Sequence, residues 1–541
     1  VPKQPHSLIA KLQTWRWELG LTLVYLVTHF LNLLALPVFA DEAIYLRWSQ
    51  LIMDDWHRYL FFALNDGKTP LFIWSLIPLQ FIVQNQLLAG RIIAVLVGLV
   101  QIWVVHGILY QLRASRRAQL LGMGFTVILP FWFTYHRMAL MDGMMTLMIS
   151  LAFWGVLKIV ELGQKQLKRW PHKMIGLSRP EVLWMTLTGL AFGAALWTKL
   201  PALFFAPIFG IVPIFLATQH SQKKSQTLWS TLFHESIPLA GALLLGLALF
   251  FSLKLNPAFG QLFGRSKDFS YSLTQVFGQG KWHETLPRWP YYLNVLTTYL
   301  TPTCLLLAMV GVFLNRTRHQ SFTLLAATAA FVTPFWWLGK VVYPRYLLPA
   351  ALFLTIAATL NIDQVIAQFV EKQAKIGPKI LAAVVVALLL AGVIAPSVQF
   401  ATYNLFDMNN IPYVPLDREQ YLEEWSAGQG IVESVKYIKT QAQQHSIAVA
   451  TEGSFGTLPD GILLYLHRQN VDNLYVEGIG QPVLSIPPFF VERAKKFDQV
   501  ILVVNSHRMG LKLDPLQKIA EYCRPNHAPC LQLWDITTLI K

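Results

Sequence analysis

Long uncharged apolar runs, each about the length of a helix that crosses a bilayer, constrain this chain more than any other feature. A hydrocarbon core of about 30 Å takes about 20 apolar residues per helix. Eleven runs approach or exceed that size, at 19–38, 87–111, 119–134, 143–160, 182–198, 200–217, 236–253, 292–314, 321–338, 346–361 and 380–398. A twelfth, Leu71–Ile82, is too short to span and reads as an interfacial helix on the membrane surface. Composition points the same way: 54% of the 541 residues are hydrophobic and 13% charged, about half the charged share of soluble domains. Disorder, a fibrous chain and a disulfide-stapled mini-protein are excluded.

The formal charge of +15 would suggest nucleic acid on a soluble chain, but its distribution argues otherwise. Residues 1–400 hold 32 Lys and Arg against 14 Asp and Glu, while residues 401–541 hold 12 against 15. The surplus therefore lies between apolar runs, where the positive-inside rule and anionic phosphate ligands both place it. With a cytoplasmic N-terminus, 19 Lys and Arg fall in one set of loops, including Arg113, Arg116, Arg117 and the Lys158–Arg179 cluster; 12 fall on the other side, with Arg91 inside a span. An odd number of spans then puts the C-terminal region outside. The first run shows no cleavage pattern, so an uncleaved start is expected.

From about residue 401 the texture becomes that of a soluble α/β unit. Short β-type runs at Ile447–Thr451, Leu474–Val476, Gln499–Val504 and Cys530–Asp535 alternate with helical stretches at Gly430–Gln444 and Pro488–Phe497. Cys304 reads as a small buried hydrophobe. Cys523 and Cys530 lie in the outward tail, where spacing alone leaves a disulfide open.

Charge in the first outward loop concentrates in Asp41, Glu42, Arg47, Asp54, Asp55, Arg58, Asp66 and Lys68. Asp41 and Glu42 directly follow the first span. A partly desolvated carboxylate at that boundary suits proton abstraction from an attacking hydroxyl; the competing reading makes Asp41 the N-cap of a helix over Glu42–Met53. Asp142 is an isolated acid after the third span, and an ionisable group there is a functional hypothesis by default, although Arg137 on the same turn could neutralise it. Cations stand beside prolines and aromatics at outward helix ends: Lys68, Lys199, Lys340 and Arg345, with Arg137 near an acid. Converging, they would bind an anion, and Arg binds phosphate in bidentate fashion; singly, each could snorkel to lipid headgroups. The loop 254–289 mixes Arg265, Lys267, Asp268, Lys281, His283, Glu284 and Arg288 with aromatic residues, a mixture that suits sugar rings and also an aromatic belt. Arg265, His283 and the nearby Tyr291 are the sugar or acceptor candidates. A divalent metal is the one cofactor these residues raise, with His283 and Asp66 as weak ligand candidates.

Five segments together resemble the GT-C superfamily of membrane glycosyltransferases, in its protein O-mannosyltransferase-like and aminoarabinose-transferase-like branch: ADEAIY, GKTPLF, HRMALMD, GLAFGAALWTKLPA and YPRYLLP, in family order over about the first 350 residues. The resemblance implies an α-helical polytopic membrane protein of about eleven spans, with interfacial helices in a first outward loop (40–86). Residues 1–400 would form the catalytic part and 401–541 an extracytoplasmic α/β domain. It implies inverting transfer of a sugar from a polyprenyl-phosphate donor to an acceptor hydroxyl of a protein, glycolipid or polysaccharide at the outer face of a plasma (inner) membrane. Asp41 takes the place of the family's essential first-loop acid, with Glu42 orienting it or contacting the acceptor. Asp142 matches the second acid, in a supporting role. Lys68 matches the lysine-proline motif and Arg345 with Tyr346 the arginine-tyrosine motif; these, with Arg137, Lys199 and Lys340, would bind the donor phosphate. Gly67 stands where the aminoarabinose-transferase-like branch commonly has a Glu that shares a metal with a loop histidine, which favours a metal-free reaction here. The partners implied are the lipid-linked donor, the bilayer and an unknown acceptor, with no nucleic acid. A polyprenyl-linked glycan flippase is the alternative, disfavoured because the acids sit at helix ends on one side and no internal repeat is visible. A scaffold anchored by so many spans is a weaker reading still.

Overall fold

The computed structural model describes residues 14–169, 177–221, 228–371, 376–468 and 473–541. The beginning of the chain and part of the Lys158–Arg179 cluster lie outside the described residues. Six helices among the described residues are long and apolar enough to cross a membrane: Gln86–Gln111, Met141–Lys165, Ser236–Leu255, Arg318–Leu338, Pro344–Gln368 and Gly377–Phe406. A seventh span arises if Trp282–Leu300 and Pro302–Phe313, bent by 102° at Thr301, count as one.

Five of the eleven expected runs give helices that are shorter, broken, bent or less apolar than these, for local reasons. The run at 19–38 yields a helix of only 15 residues, Arg16–Phe30, after which Asn32 takes a positive φ and donates from its amide to the Leu405 carbonyl. The run at 119–134 breaks into Arg116–Ile128 and Pro130–Tyr135, because Pro130 has no N–H to continue the ladder. The run at 200–217 opens as a 3-10 turn, Leu200–Phe205, before the helix Ile208–Ser221. Arg179–Thr198 has 20 residues but dilutes its apolar content with Thr and Gly. Its glycines serve close packing: a Cβ at Gly189 would lie 2.8 Å from the Ala242 carbonyl, and one at Gly193 2.6 Å from Leu249, so the backbone of the Leu228–Phe251 helix can approach. The Gly377–Phe406 helix turns Ile380, Leu381, Val384, Leu388 and Val398 outward, an apolar surface that suits lipid. Leu71–Gln80 is a ten-residue helix, too short to cross.

The C-terminal region forms a five-stranded sheet: β1 (Ile447–Thr451), β2 (Leu474–Gly478), β3 (Gln499–Asn505), β4 (Lys518–Tyr522) and β5 (Leu531–Asp535), in the order β2-β1-β3-β5-β4. β1 pairs in parallel with β2 and β3, whereas β5 is antiparallel to both β3 and β4. Four strands fall where the sequence places them. β4 is the exception, an edge strand whose Lys518 and Glu521 face water and mask its alternation. The helices Ile431–Gln441 and Pro488–Ala494 are shorter than their apolar pattern suggests. Alternation divides the sheet's side chains. Ile447, Val449, Ile501, Val503, Leu531 and Leu533 join the core that runs through the helical part, while Ala448, Val500, Leu502 and Val504 pack on Phe490 and Ala494. Cys523 and Cys530 are joined in a disulfide, and Cys304 is buried and free.

Candidate active site

The helix Ala40–Asp54 begins two residues earlier than expected, with Phe39 at its N-cap. Asp41 therefore sits in the first turn, where the helix dipole still favours a carboxylate, and it is Glu42 that caps, accepting from the Phe39 N–H at 3.1 Å. Successive residues of one turn diverge from here.

Glu42 has no exposed surface. It accepts from Arg91 Nε at 2.9 Å, Arg91 Nη2 at 2.7 Å and the Ala139 N–H at 2.8 Å. Arg91 spends its remaining N–H groups on the carbonyls of Leu33, Leu36 and Pro37. This buried pair fastens the end of the first helix, the Asp41 helix and the Gln86–Gln111 helix together, and leaves Glu42 no free valence toward a ligand.

Asp41, 25% exposed, accepts from Arg345 Nη2 at 3.0 Å. Arg345 stands in the 3-10 turn Pro344–Leu347, which Pro344 starts and which feeds the helix Leu348–Val365. Its guanidinium is 4% exposed, lies 4.4 Å from the ring centre of Tyr343, and reaches Asp142 Oδ2 at 3.8 Å. Asp142, in the first turn of the long helix from Met141, accepts from Lys199 Nζ at 2.7 Å. Lys199 ends its helix in extended conformation and holds its ammonium 4.2 Å from the centre of the Tyr346 ring. Asp41, Arg345, Asp142 and Lys199 thus alternate in sign around one spot, with Tyr346 beneath. The Arg137–Asp142 pairing weighed above does not form. The chain turns at 136–140 between two helices, and Arg137 instead donates to the carbonyls of Thr28, His29, Leu31 and Asn32, tying down the end of the first helix away from the cluster.

A second charged station lies along the Asp41 helix. Tyr45 and Trp48 continue the Asp41 face at helical spacing, and Lys68 Nζ lies 5.5 Å from the Trp48 ring centre. Lys68 pairs with Asp66 at 2.5 Å, and Arg265 pairs with the other Asp66 oxygen. Gly67 adopts a left-handed φ of 73°, and a Cβ there would meet the Leu262 carbonyl at 3.3 Å, so glycine at this position is set by the backbone.

The other candidates lie elsewhere. Lys340 donates to the Lys267 carbonyl and lies 5.2 Å from the Tyr271 ring centre. Tyr291 donates to the Val342 carbonyl at 2.6 Å. His283 lies against Trp282, ring centres 3.4 Å apart. The His283 and Asp66 metal suggestion finds no support in the donor set: both Asp66 oxygens hold cations, and neither residue joins a three-ligand cluster among the described residues. The cluster that does form, Glu521 with Cys523 and Cys530, has its two sulfurs bonded to each other.

Sequence reasoning missed the C-terminal contribution. Arg345 Nη1 donates to Gln420 Oε1 at 2.7 Å and to Tyr421 Oη at 3.3 Å. Nearby, Asp417 Oδ2 accepts from the phenols of Tyr135 at 2.5 Å and Tyr299 at 2.6 Å. Burial pushes the Asp417 carboxyl up to about 6.

This arrangement, apolar helices with paired carboxylates and cations at one end and a small sheet domain after them, is similar in fold to solved glycosyltransferases of the GT-C class. Within that class, residues 59–259 match the model of the dolichyl-phosphate-mannose-protein mannosyltransferase family, a stretch that holds Lys68, Asp142 and Lys199 but not Asp41 or Arg345. ArnT from Cupriavidus metallidurans in the apo state superposes with a TM-score of 0.54 at 17% identity, over 98% of this chain and 99% of that one; the same protein bound to undecaprenyl phosphate gives 0.52 at 16%, over 97% and 99%. The archaeal oligosaccharyltransferase AglB from Archaeoglobus fulgidus, in complex with an inhibitory peptide and a dolichol-phosphate, gives 0.54 at 11%, over 91% of this chain and 70% of that one. Curated proteins yield no match.

Proposed function

We propose that this protein is an inverting glycosyltransferase that moves a sugar from a polyprenyl-phosphate donor to an acceptor hydroxyl at the outer face of the membrane. Residues 1–400 form its transmembrane catalytic part, with 40–86 as the first outward loop and 401–541 as an extracytoplasmic α/β domain; the N-terminus is cytoplasmic. The observation that carries this reading is the direct contact between Asp41 and Arg345, two residues 304 positions apart. An inverting displacement needs a base on one side of the anomeric carbon and a stabilised phosphate on the other. Asp41 takes the proton of the acceptor hydroxyl as its oxygen bonds to the anomeric carbon. The bond from that carbon to the phosphate oxygen breaks, and Arg345 with Lys199 bears the charge of the departing polyprenyl phosphate. Before donor arrives, Arg345 is held by Asp41; a phosphate that draws the guanidinium away leaves Asp41 free to act as base. Asp142 positions Lys199, and Tyr346 supports its ammonium. Lys68, beside Trp48 farther along the Asp41 helix, is a further candidate for the donor phosphate, and Arg265, which shares Asp66 with it, for the acceptor or the donor sugar. Phosphate-bearing prenyl lipids in the ArnT and AglB structures support the choice of donor.

The test is mass spectrometry of products after purified protein is incubated with a panel of polyprenyl-phosphate sugars and a membrane extract. A sugar transferred by the wild type and not by Asp41→Asn supports the reading. Undiminished transfer by Asp41→Asn overturns the base, and lipid movement in proteoliposomes with no product formed supports the flippase instead.

A further inference from the structure

The segment 417–427 follows the last membrane helix and precedes the sheet, and its contacts are unusual for a linker. At one end Asp417 is fastened to two helices of the membrane part through Tyr135 and Tyr299. At the other end the Ser426 carbonyl accepts from the Ala40 N–H at 3.0 Å, and Ala427 forms an antiparallel bridge with Phe39. This seats the segment on the first turn of the helix that carries Asp41. From the sheet side, Arg524 Nη2 donates to the Ala427 carbonyl at 2.8 Å. Between these anchors Gln420 and Tyr421 reach Arg345.

The Gln420 amide is oriented for this. Its Nε2 donates to the Leu416 carbonyl at 3.1 Å, which turns Oε1 toward Arg345 Nη1, and the Gln420 backbone carbonyl accepts from Ser426 Oγ at 2.8 Å. The Tyr421 ring meets Phe39 edge-on with centres 4.9 Å apart, so its hydroxyl is set by the same turn that sets Asp41. One stretch of chain therefore fixes both members of the Asp41–Arg345 pair.

We propose that residues 417–427 are a clamp in which Gln420 and Tyr421 are positioning residues for Arg345, holding its guanidinium where the donor phosphate must bind. The C-terminal region thereby takes part in the membrane site instead of hanging from it. This rests on the donor reading above. When phosphate takes Nη2 and Nε from the carboxylates, Nη1 stays with Gln420 and Tyr421, so the arginine turns about a fixed corner and is not lost to solvent. A neutral acceptor suits that corner. An acidic side chain there would compete with the phosphate, whereas an amide oxygen and a phenol hold the cation without neutralising it.

The test is binding of undecaprenyl phosphate to the purified full chain in detergent, measured for wild type, Gln420→Met, Arg345→Lys and the double variant, with thermal midpoints alongside. Without Gln420 the guanidinium is no longer held at the phosphate position, so Gln420→Met is expected to bind roughly tenfold more weakly, the order of one buried hydrogen bond to a charged group, with a midpoint lowered by the loss of the same bond. In the Arg345→Lys background the same change should cost less than about twofold, because the two residues act as one unit. Tyr421→Phe, which removes a single oxygen, should show the same dependence at about threefold and serves if Gln420→Met does not fold. Equal losses in both backgrounds, or wild-type affinity in Gln420→Met and Tyr421→Phe, overturn the clamp while leaving the donor reading intact. A wild type that binds no undecaprenyl phosphate overturns the donor reading and the clamp with it.

Discussion

Asp41 and Glu42 are neighbours in one helical turn and occupy opposite situations. Glu42 is fully enclosed and receives four N–H groups, two from Arg91 and one each from Phe39 and Ala139. Asp41 is a quarter exposed and has Arg345 as its hydrogen-bond donor. The same contrast separates Arg137, whose guanidinium is consumed by four backbone carbonyls, from Arg345, whose Nη2 is held by a carboxylate that a ligand can replace. A buried charge saturated by backbone and a fixed counter-ion holds a fold. One that keeps an exchangeable partner and some access is available for chemistry.

The comparison breaks first at Asp41. Asp41→Asn keeps the shape and removes the proposed base, and transfer should fall by roughly 10³-fold, within the range for a general base, with the thermal midpoint unchanged. Retained turnover, or a midpoint that falls, would mean that Asp41 is structural like its neighbour. Glu42→Ala should do the reverse. Removing one partner strands the buried Arg91 charge at a cost of about 3–5 kcal/mol, read as a large drop in thermal midpoint and in yield of monodisperse protein. Replacing both partners, Glu42→Leu with Arg91→Met, avoids the stranded charge but leaves the carbonyls of Leu33, Leu36 and Pro37 and the N–H groups of Phe39 and Ala139 unpaired, and should recover only a small part of that loss.

What the sequence made legible follows the same line. Asp41, Asp142, Lys199 and Arg345 stand out because each is a charge at the end of an apolar run, and these four come together. Glu42 and Arg137 have the same appearance in sequence, where nothing tells whether a carbonyl or a fixed counter-ion will absorb the charge. Gln420 and Tyr421 lie in LDREQYLEEW, a polar stretch in which no residue differs from its surroundings; their place depends on a turn that folds back 75 residues or more to reach Arg345. Apolar length located the six longest spans, but it overrode proline at 130 and 302, where a missing N–H breaks or bends the helix.

Asp417 sharpens the comparison from a third side, as a buried carboxylate past the last span that two phenols serve. Burial raises its pKa to about 6 in the folded protein, above the ordinary Asp value. The folded state therefore holds the proton more tightly than the unfolded chain, and the stability so gained is present at low pH and lost as pH rises through the window from about 4 to about 6. Asp417→Asn removes the ionisation and keeps an acceptor. Its midpoint should exceed that of wild type at pH 7.5, with the gap closing toward pH 4. A lower midpoint at pH 7.5 would show that the charged hydrogen bonds from Tyr135 and Tyr299 outweigh the burial.

The smallest effect is expected at Lys340, which in sequence resembles Lys199 in standing near a proline at the end of an apolar run. Lys199 gives its ammonium to Asp142 beside Arg345, at 2.7 Å and 17% exposure. Lys340 gives its own to a backbone carbonyl of the exposed loop and to the face of Tyr271, where water and salt screen it. Lys199→Ala should leave Asp142 with Arg345 as its cation, in competition with the phosphate, and weaken undecaprenyl phosphate binding by at least tenfold, the order expected for a lost charge-assisted contact. Lys340→Ala should change the same binding less than about twofold, because its ammonium meets a loop carbonyl and a ring and no carboxylate of the cluster. A large loss at Lys340 would bring the 254–289 loop into the phosphate site, and the kind of partner, carboxylate or backbone carbonyl, would then no longer separate the cations that serve the ligand from those that serve the surface.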